Sequence, residues 1–233
     1  MDIRILTADT KELEDEWLYR RLYSFASCQR REKADQMRFM KDKCLSLGAG
    51  VLLETALREA GVRDIHYSEE ANGKPCLSSR QDIRFNISHS GTKVLCALSD
   101  HDIGCDVERI RDKGPEVAKR FFFHEEYEAL LACSDPEERR VLFFRFWTLK
   151  ESFMKATGLG LSLPLDAFCI LHGTAGITVR QHVDERQYFF QEFDLQDGYR
   201  YALCSADKPI GEAVLTVMSF RDLALSDAQP VIC

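Results

Sequence analysis

No stretch of the chain is both long and apolar enough to cross a bilayer, and residues 1–10 lack a basic start followed by an apolar run. A membrane span and a secretory leader are therefore not expected. Positive charge is also in short supply. Thirty-one Lys and Arg stand against 38 Asp and Glu, a formal net charge of -7. A general nucleic-acid binder carries a basic excess, so that class is disfavoured. Phosphate binding is not, because it needs only a local cluster of cations. No P-loop, GxSxG, HExxH or GxGxxG loop is present. The glycines of Gly158-Leu159-Gly160-Leu161 follow a helical stretch, not a strand, and read as a helix stop. The nine cysteines are odd in number and contain no CxxC pair, which fits neither a zinc cluster nor a disulfide framework. Cys96, Cys105 and Cys204 lie in apolar strand-like runs, as buried reduced thiols of a cytoplasmic protein do.

What is present suits a soluble globular protein. The chain has 233 residues, 45% hydrophobic and 30% charged, enough for one large domain or two small ones. Residues 3–8 predict a strand. Residues 11–26 carry Leu13, Trp17, Leu18, Leu22 and Phe25 at helical spacing, and 42–60 carry Leu45, Ala49, Leu52, Leu53, Ala56 and Leu57, with Gly61 as the stop. Residues 69–82 are rich in turn formers. Ile83, Phe85 and Ile87 alternate with Arg84, Asn86 and Ser88, the period of a half-buried strand. Further strands are expected at 94–98 and 103–110, joined by a turn at 100–102. Helices follow at 116–122, 125–132 and 136–157. Strands at 167–171, 177–183, 187–193, 199–204 and 213–219 complete the chain, with Asp197-Gly198 as a hairpin turn. There is no low-complexity linker and no short-period repeat. The expectation is an α+β protein of two lobes, 1–102 and 103–233, with antiparallel sheets packed on helices.

Several segments are candidates for chemistry. In Ile103-Gly104-Cys105-Asp106-Val107-Glu108, strand alternation puts Asp106 and Glu108 on one face. Two carboxylates about 7 Å apart on residues that form strands poorly are either an exposed polar face or the oxygen ligands of a hard cation such as Mg²⁺. In Phe146-Trp147-Thr148-Leu149-Lys150-Glu151-Ser152-Phe153-Met154-Lys155, Glu151 and Lys155 share a helix face. They are either an ordinary surface ion pair or a ligand or base together with a cation for phosphate. Asn86-Ile87-Ser88-His89-Ser90-Gly91 offers hydroxyls, an imidazole and turn N–H groups. They serve either phosphate oxygens or the turn itself. Gly73-Lys74-Pro75 and Arg30-Arg31-Glu32-Lys33 are weak when taken alone.

Taken in order, these segments closely resemble the motif series of the surfactin-type 4′-phosphopantetheinyl transferases. Gly158-Leu159-Gly160-Leu161-Ser162-Leu163-Pro164-Leu165 is similar to the stretch after the family's last motif, and the likeness runs from about residue 30 to 168. The resemblance implies two similar halves, a pseudo-dimer of the transferase fold with the active site where they meet. It implies coenzyme A as co-substrate and Mg²⁺ as cofactor. Asp106, Glu108 and Glu151 resemble the metal-binding acids. Lys155 resembles the lysine at the pyrophosphate. Lys74, Ser88 and His89 resemble coenzyme A contacts, and Arg30 and Lys33 two basic residues at the phosphates of the adenosine end. Ser46 stands where the family often has a threonine at the nucleotide, while Leu45 replaces what is often a basic residue.

The implied reaction moves 4′-phosphopantetheine to a serine of an apo peptidyl, acyl or aryl carrier protein, leaving 3′,5′-ADP. Its setting would be non-ribosomal peptide, polyketide or fatty-acid synthesis. Either Glu151 or a water on the metal takes the serine proton, and Lys155 serves the leaving group. A cytoplasmic monomer with no nucleic-acid or membrane partner is expected. Family carriers are typically acidic, as this chain is. That suggests a local basic and apolar docking patch at 113–127, with Lys119, Arg120, Phe121, Phe122, Phe123 and Tyr127, unless those aromatics are core. The competing readings are a transferase serving only the fatty-acid carrier, an inactive coenzyme A binder, and a plain interaction domain.

Overall fold

The computed structural model describes residues 1–70, 72–112, 114–174 and 176–225. The chain divides into two compact units: Met1–Asp100 with the returning stretch from Ala213, and His101–Glu212. The first begins with β1 (Arg4–Asp9) and a short 3-10 turn, Thr10–Glu14. A single helix was expected over 11–26, but Asp15 is extended (φ -71, ψ 114), and its carboxylate caps a separate helix, α1 (Glu16–Phe25), by accepting the N–H groups of Trp17 and Leu18. Next come α2 (Cys28–Asp35) and the long α3 (Met40–Glu59). The expected apolar stripe of α3 is buried, and Gly61 past its end has φ +84, a conformation that favours glycine.

The turn-rich stretch is in fact a small hairpin, β2 (Tyr67–Glu69) with β3 (Pro75–Leu77). Gly73 at φ +81 closes its turn, donating its N–H to the Glu70 carbonyl at 2.8 Å. Then β4 (Arg84–Ser90) and β5 (Lys93–Ser99) pair antiparallel, and β5 pairs with β1.

The second unit holds β6 (Ile103–Arg109), α4 (Pro115–Phe121), α5 (His124–Ala132) and α6 (Pro136–Thr157). Asp135 caps α6 at its start and Gly158, in the left-handed conformation, ends it. Two hairpin strands, β7 (Cys169–Gly173) and β8 (Gly176–Arg180), precede β9 (Tyr188–Phe193) and β10 (Tyr199–Ala206). The sheet order is β6-β10-β9, all antiparallel. Its core is aromatic: Phe143, Phe146 and Phe153 of α6 meet Phe122, Phe168 and Tyr188. Strands β5 and β6, which sequence joined by a turn at 100–102, belong to different sheets, and that turn links the two units.

The expected division at 102/103 needs correction at the far end. Strand β11 (Leu215–Met218) pairs parallel with β1, and Phe220 of α7 (Phe220–Leu225) is buried in the first unit's core. The first sheet, β11-β1-β5-β4, is thus not wholly antiparallel. The physical reason is that β1 has two hydrogen-bonding edges, and β5 satisfies only one of them. Cys96, Cys105 and Cys204 are buried free thiols, as expected, and so are Cys44 and Cys169, whereas Cys28 is disulfide-bonded. Among the described residues no helix is long and apolar enough to cross a membrane.

Candidate active site

The second unit gathers the acids through one glycine. A Cβ on Gly104 would lie 2.0 Å from the Ser152 carbonyl oxygen and 2.5 Å from the Ala156 nitrogen. Bare backbone is what lets β6 press against α6. With β6 that close, Asp106, two residues on, reaches Lys155: Nζ donates to Asp106 Oδ1 at 2.6 Å and to the Cys105 carbonyl at 3.2 Å. The lysine therefore bridges strand and helix, where sequence offered it only a partner four residues away. Burial pulls the Lys155 pKa down, but the Asp106 charge beside it, with Glu151 in support, holds it above the usual lysine range. Burial pushes the Glu151 carboxyl up, and the Asp106 and Glu108 charges push the same way against the pull of Lys155. Three acids and one cation thus share a single electrostatic neighbourhood. Glu108, at the outer end of the row, meets Arg111 Nη2 at 3.3 Å and lies opposite Arg200 of β10. Neither arginine was singled out from sequence. Among the described residues no three His, Cys, Asp or Glu side chains are gathered closely enough to hold a metal ion by themselves.

In the first unit, Arg30, Lys33, Ser46 and His89 line one cavity of about 320 Å³. Ser46 Oγ is buried there without a hydrogen-bond partner. A second cavity of about 250 Å³ shares Arg30, Lys33 and Ile87 with the first and adds Tyr67 and Pro75. The other two expected contacts sit differently. Lys74 occupies the β2–β3 turn, where its N–H meets Asn72 Oδ1 at 3.2 Å. Ser88 is buried, although alternation put it on the polar face, while Ile87 lines both cavities. The strict period therefore fails here: Ser88 is buried and His89, two residues from the apolar Ile87, is exposed.

The family model for the 4′-phosphopantetheinyl transferase superfamily matches residues 102–204. The 4′-phosphopantetheinyl transferase Sfp of Bacillus subtilis (strain 168) is 35% identical over 207 residues, covering 87% of this chain and 92% of the relative. The chain belongs to the 4′-phosphopantetheinyl transferase family. The family enzyme psf-1 of Bacillus pumilus is 34% identical over 198 residues, 83% of this chain and 84% of its own length. A crystal structure of holo-[acyl-carrier-protein] synthase from Thermotoga maritima matches 46% of this chain and 63% of that one, with a TM-score of 0.39 and 22% identity. This phosphopantetheinyl transferase accordingly moves phosphopantetheine from coenzyme A to carrier proteins.

For a transferase that must meet a carrier, the stretch 113–127 divides. Lys113 lies outside the described residues. Lys119, Arg120 and Phe121 are exposed, and the Arg120 guanidinium stands 5.2 Å from the centre of the Phe121 ring. Phe122 is instead core, stacked on Phe143 at 5.2 Å, and Phe123 and Tyr127 are half-buried. Trp147 packs against the second unit's core but is only partly covered. Together with Glu108, Phe143 and Val117 it lines a cavity of about 590 Å³.

Proposed function

We propose that this transferase is Mg²⁺-dependent and that its reacting groups are Asp106, Glu108, Glu151 and Lys155. The residues of the first unit hold the donor: Arg30 and Lys33 at the phosphates of the adenosine end, Ser46 at the nucleotide, and Lys74, Ser88 and His89 as further coenzyme A contacts. The observation that carries this reading is the Gly104 contact, which draws two strand carboxylates, a helical carboxylate and a lysine into one charged cluster.

The donor set suits Mg²⁺. Burial pushes the Glu151 carboxyl up and the Asp106 and Glu108 charges add to that push, a repulsion that a cation among the acids would relieve. Mg²⁺ takes oxygen ligands, and one or two carboxylates suffice when phosphates and waters complete its shell. A ready-made protein cage is not required. When bound, the ion offsets charge on the pyrophosphate. Glu151 takes the proton from the carrier serine, whose oxygen bonds to the β-phosphorus of coenzyme A. The bond from that phosphorus to the bridging oxygen breaks, and 3′,5′-ADP departs with the electron pair. Lys155, a cation already turned to the acids, offsets the charge left on the departing group.

The test is the intact mass of an apo peptidyl carrier protein after incubation with the enzyme, coenzyme A and Mg²⁺. A gain of one phosphopantetheine, abolished by EDTA and by Glu151→Ala, is expected. No gain on peptidyl, acyl or aryl carriers, with coenzyme A still bound, would leave an inactive binder.

A further inference from the structure

Helix α3 carries Gly50 in its interior, where glycine is a poor helix former. Its use is visible in what a Cβ there would strike: Arg30 Cδ and Nε at 2.1 Å and Cγ at 2.4 Å. The Arg30 side chain runs through a notch in α3 that only a missing side chain leaves open. One turn along, the fully buried Glu54 accepts from the Ser27 N–H at 3.0 Å and the Ser27 hydroxyl at 2.6 Å. Ser27 caps α2, and its hydroxyl accepts the Arg30 N–H at 3.4 Å. The first turn of α2 is thereby tied to α3 at the height where Arg30 crosses it. On the far side stands Tyr67, its ring centre 5.7 Å from the guanidinium carbon.

The arginine held this way is incomplete. It is 7% exposed, yet its Nε has no hydrogen-bond partner. Burying such a group without an acceptor is costly. Arg30 borders both cavities of the first unit, so a ligand there can supply the acceptor. An arginine fork recognises a phosphate through paired N–H bonds in one plane, so its value depends on that plane being set in advance.

We propose that Gly50 and Tyr67 are positioning residues that fix the Arg30 guanidinium for the 3′-phosphate of the donor, and so set the preference for coenzyme A over dephospho-coenzyme A, which ends there in a hydroxyl. The inference rests on the reading of Arg30 as a phosphate contact.

Steady-state transfer is measured with both donors for the wild type, Arg30→Ala, Gly50→Ala, Tyr67→Leu and Tyr67→Phe. Gly50→Ala raises KM for coenzyme A about tenfold or more, the worth of a charged hydrogen bond, with kcat and the dephospho-coenzyme A KM little changed. Its melting temperature falls modestly, because displacing the buried Arg30 side chain costs more than the better helix former regains, so rates are compared below the transition. Tyr67→Leu shifts the donor ratio the same way, and Tyr67→Phe, which keeps the ring, restores most of it. A wild type without donor preference, unaltered by Arg30→Ala, overturns the phosphate reading itself. A preference lost in Arg30→Ala but intact in Gly50→Ala and Tyr67→Leu overturns the positioning role alone. Should Gly50→Ala misfold, the two Tyr67 variants decide.

Discussion

Lys150 and Glu151 are neighbours in the chain and alike in polarity, yet they live in opposite surroundings. Lys150 is fully buried. Its Nζ donates to both oxygens of Glu126, at 2.6 and 2.7 Å, and to the Phe168 carbonyl at 2.8 Å. The same carboxylate accepts the N–H groups of Phe123 and Ile170, so one ion pair joins α5, α6 and the start of β7. Burial pushes the Glu126 carboxyl up and pulls the Lys150 amine down, each opposed by the partner's charge. Such a pair adds little net stability over apolar packing, but losing one member strands the other. Lys150→Met is expected to cost about 3–5 kcal/mol, read from urea unfolding. A loss below about 1 kcal/mol would mean that Glu126 finds water or simply takes up a proton. Sequence singled out neither Lys150 nor Glu126, because a buried lysine and an exposed one are written with the same letter.

Between elements, the decisive contact is β6 on α6. The strand was legible from its alternation and α6 from its cap and its glycine stop, and 136–157 was matched to the residue. Their separation was not legible, since nothing along the chain says that Gly104 faces the Ser152 carbonyl. Gly104→Ala must part the two elements or distort one, and overpacking of this kind costs about 1–3 kcal/mol. Because Asp106 and Lys155 meet through that contact, transfer activity is expected to fall by far more than stability alone explains. The variant's melting temperature and its rate on an apo carrier, compared below the melting transition, give the answer. An alanine variant with wild-type activity would show that the acids do not depend on this approach. The broken helix at 11–26 teaches a related lesson: the apolar stripe continued through Asp15, but a carboxylate that can cap a following turn ends one helix and begins another.

At the scale of the whole molecule, charge becomes the issue. A protein of net charge -7 repels an acidic carrier at long range, so capture depends on local cations. On α4, Lys119 and Arg120 are exposed beside Phe121, itself 40% exposed. Arg120→Glu is expected to raise KM for an acidic carrier roughly three- to tenfold at low salt, with kcat unchanged. The gap should narrow as salt screens the exposed charges. Equal KM values for wild type and variant at low salt would remove α4 from the docking surface.

Local chemistry alone determined much of this protein. Caps, glycine stops and apolar periods were enough for most of the helices and strands, and for an α+β class. The motif series marked Asp106, Glu108, Glu151 and Lys155 before any contact was known. Those signals are short-range, carried by residues within a few positions of one another. What tertiary structure decided is long-range. It returned β11 to β1 across the length of the chain, split the 113–127 aromatics between core and surface, turned Lys155 from its own helix to Asp106, and laid Arg30 through the gap at Gly50. Each of these depends on which backbone meets which. That is settled by burial and by the need to satisfy every edge and charge, and no spacing along a single chain encodes it.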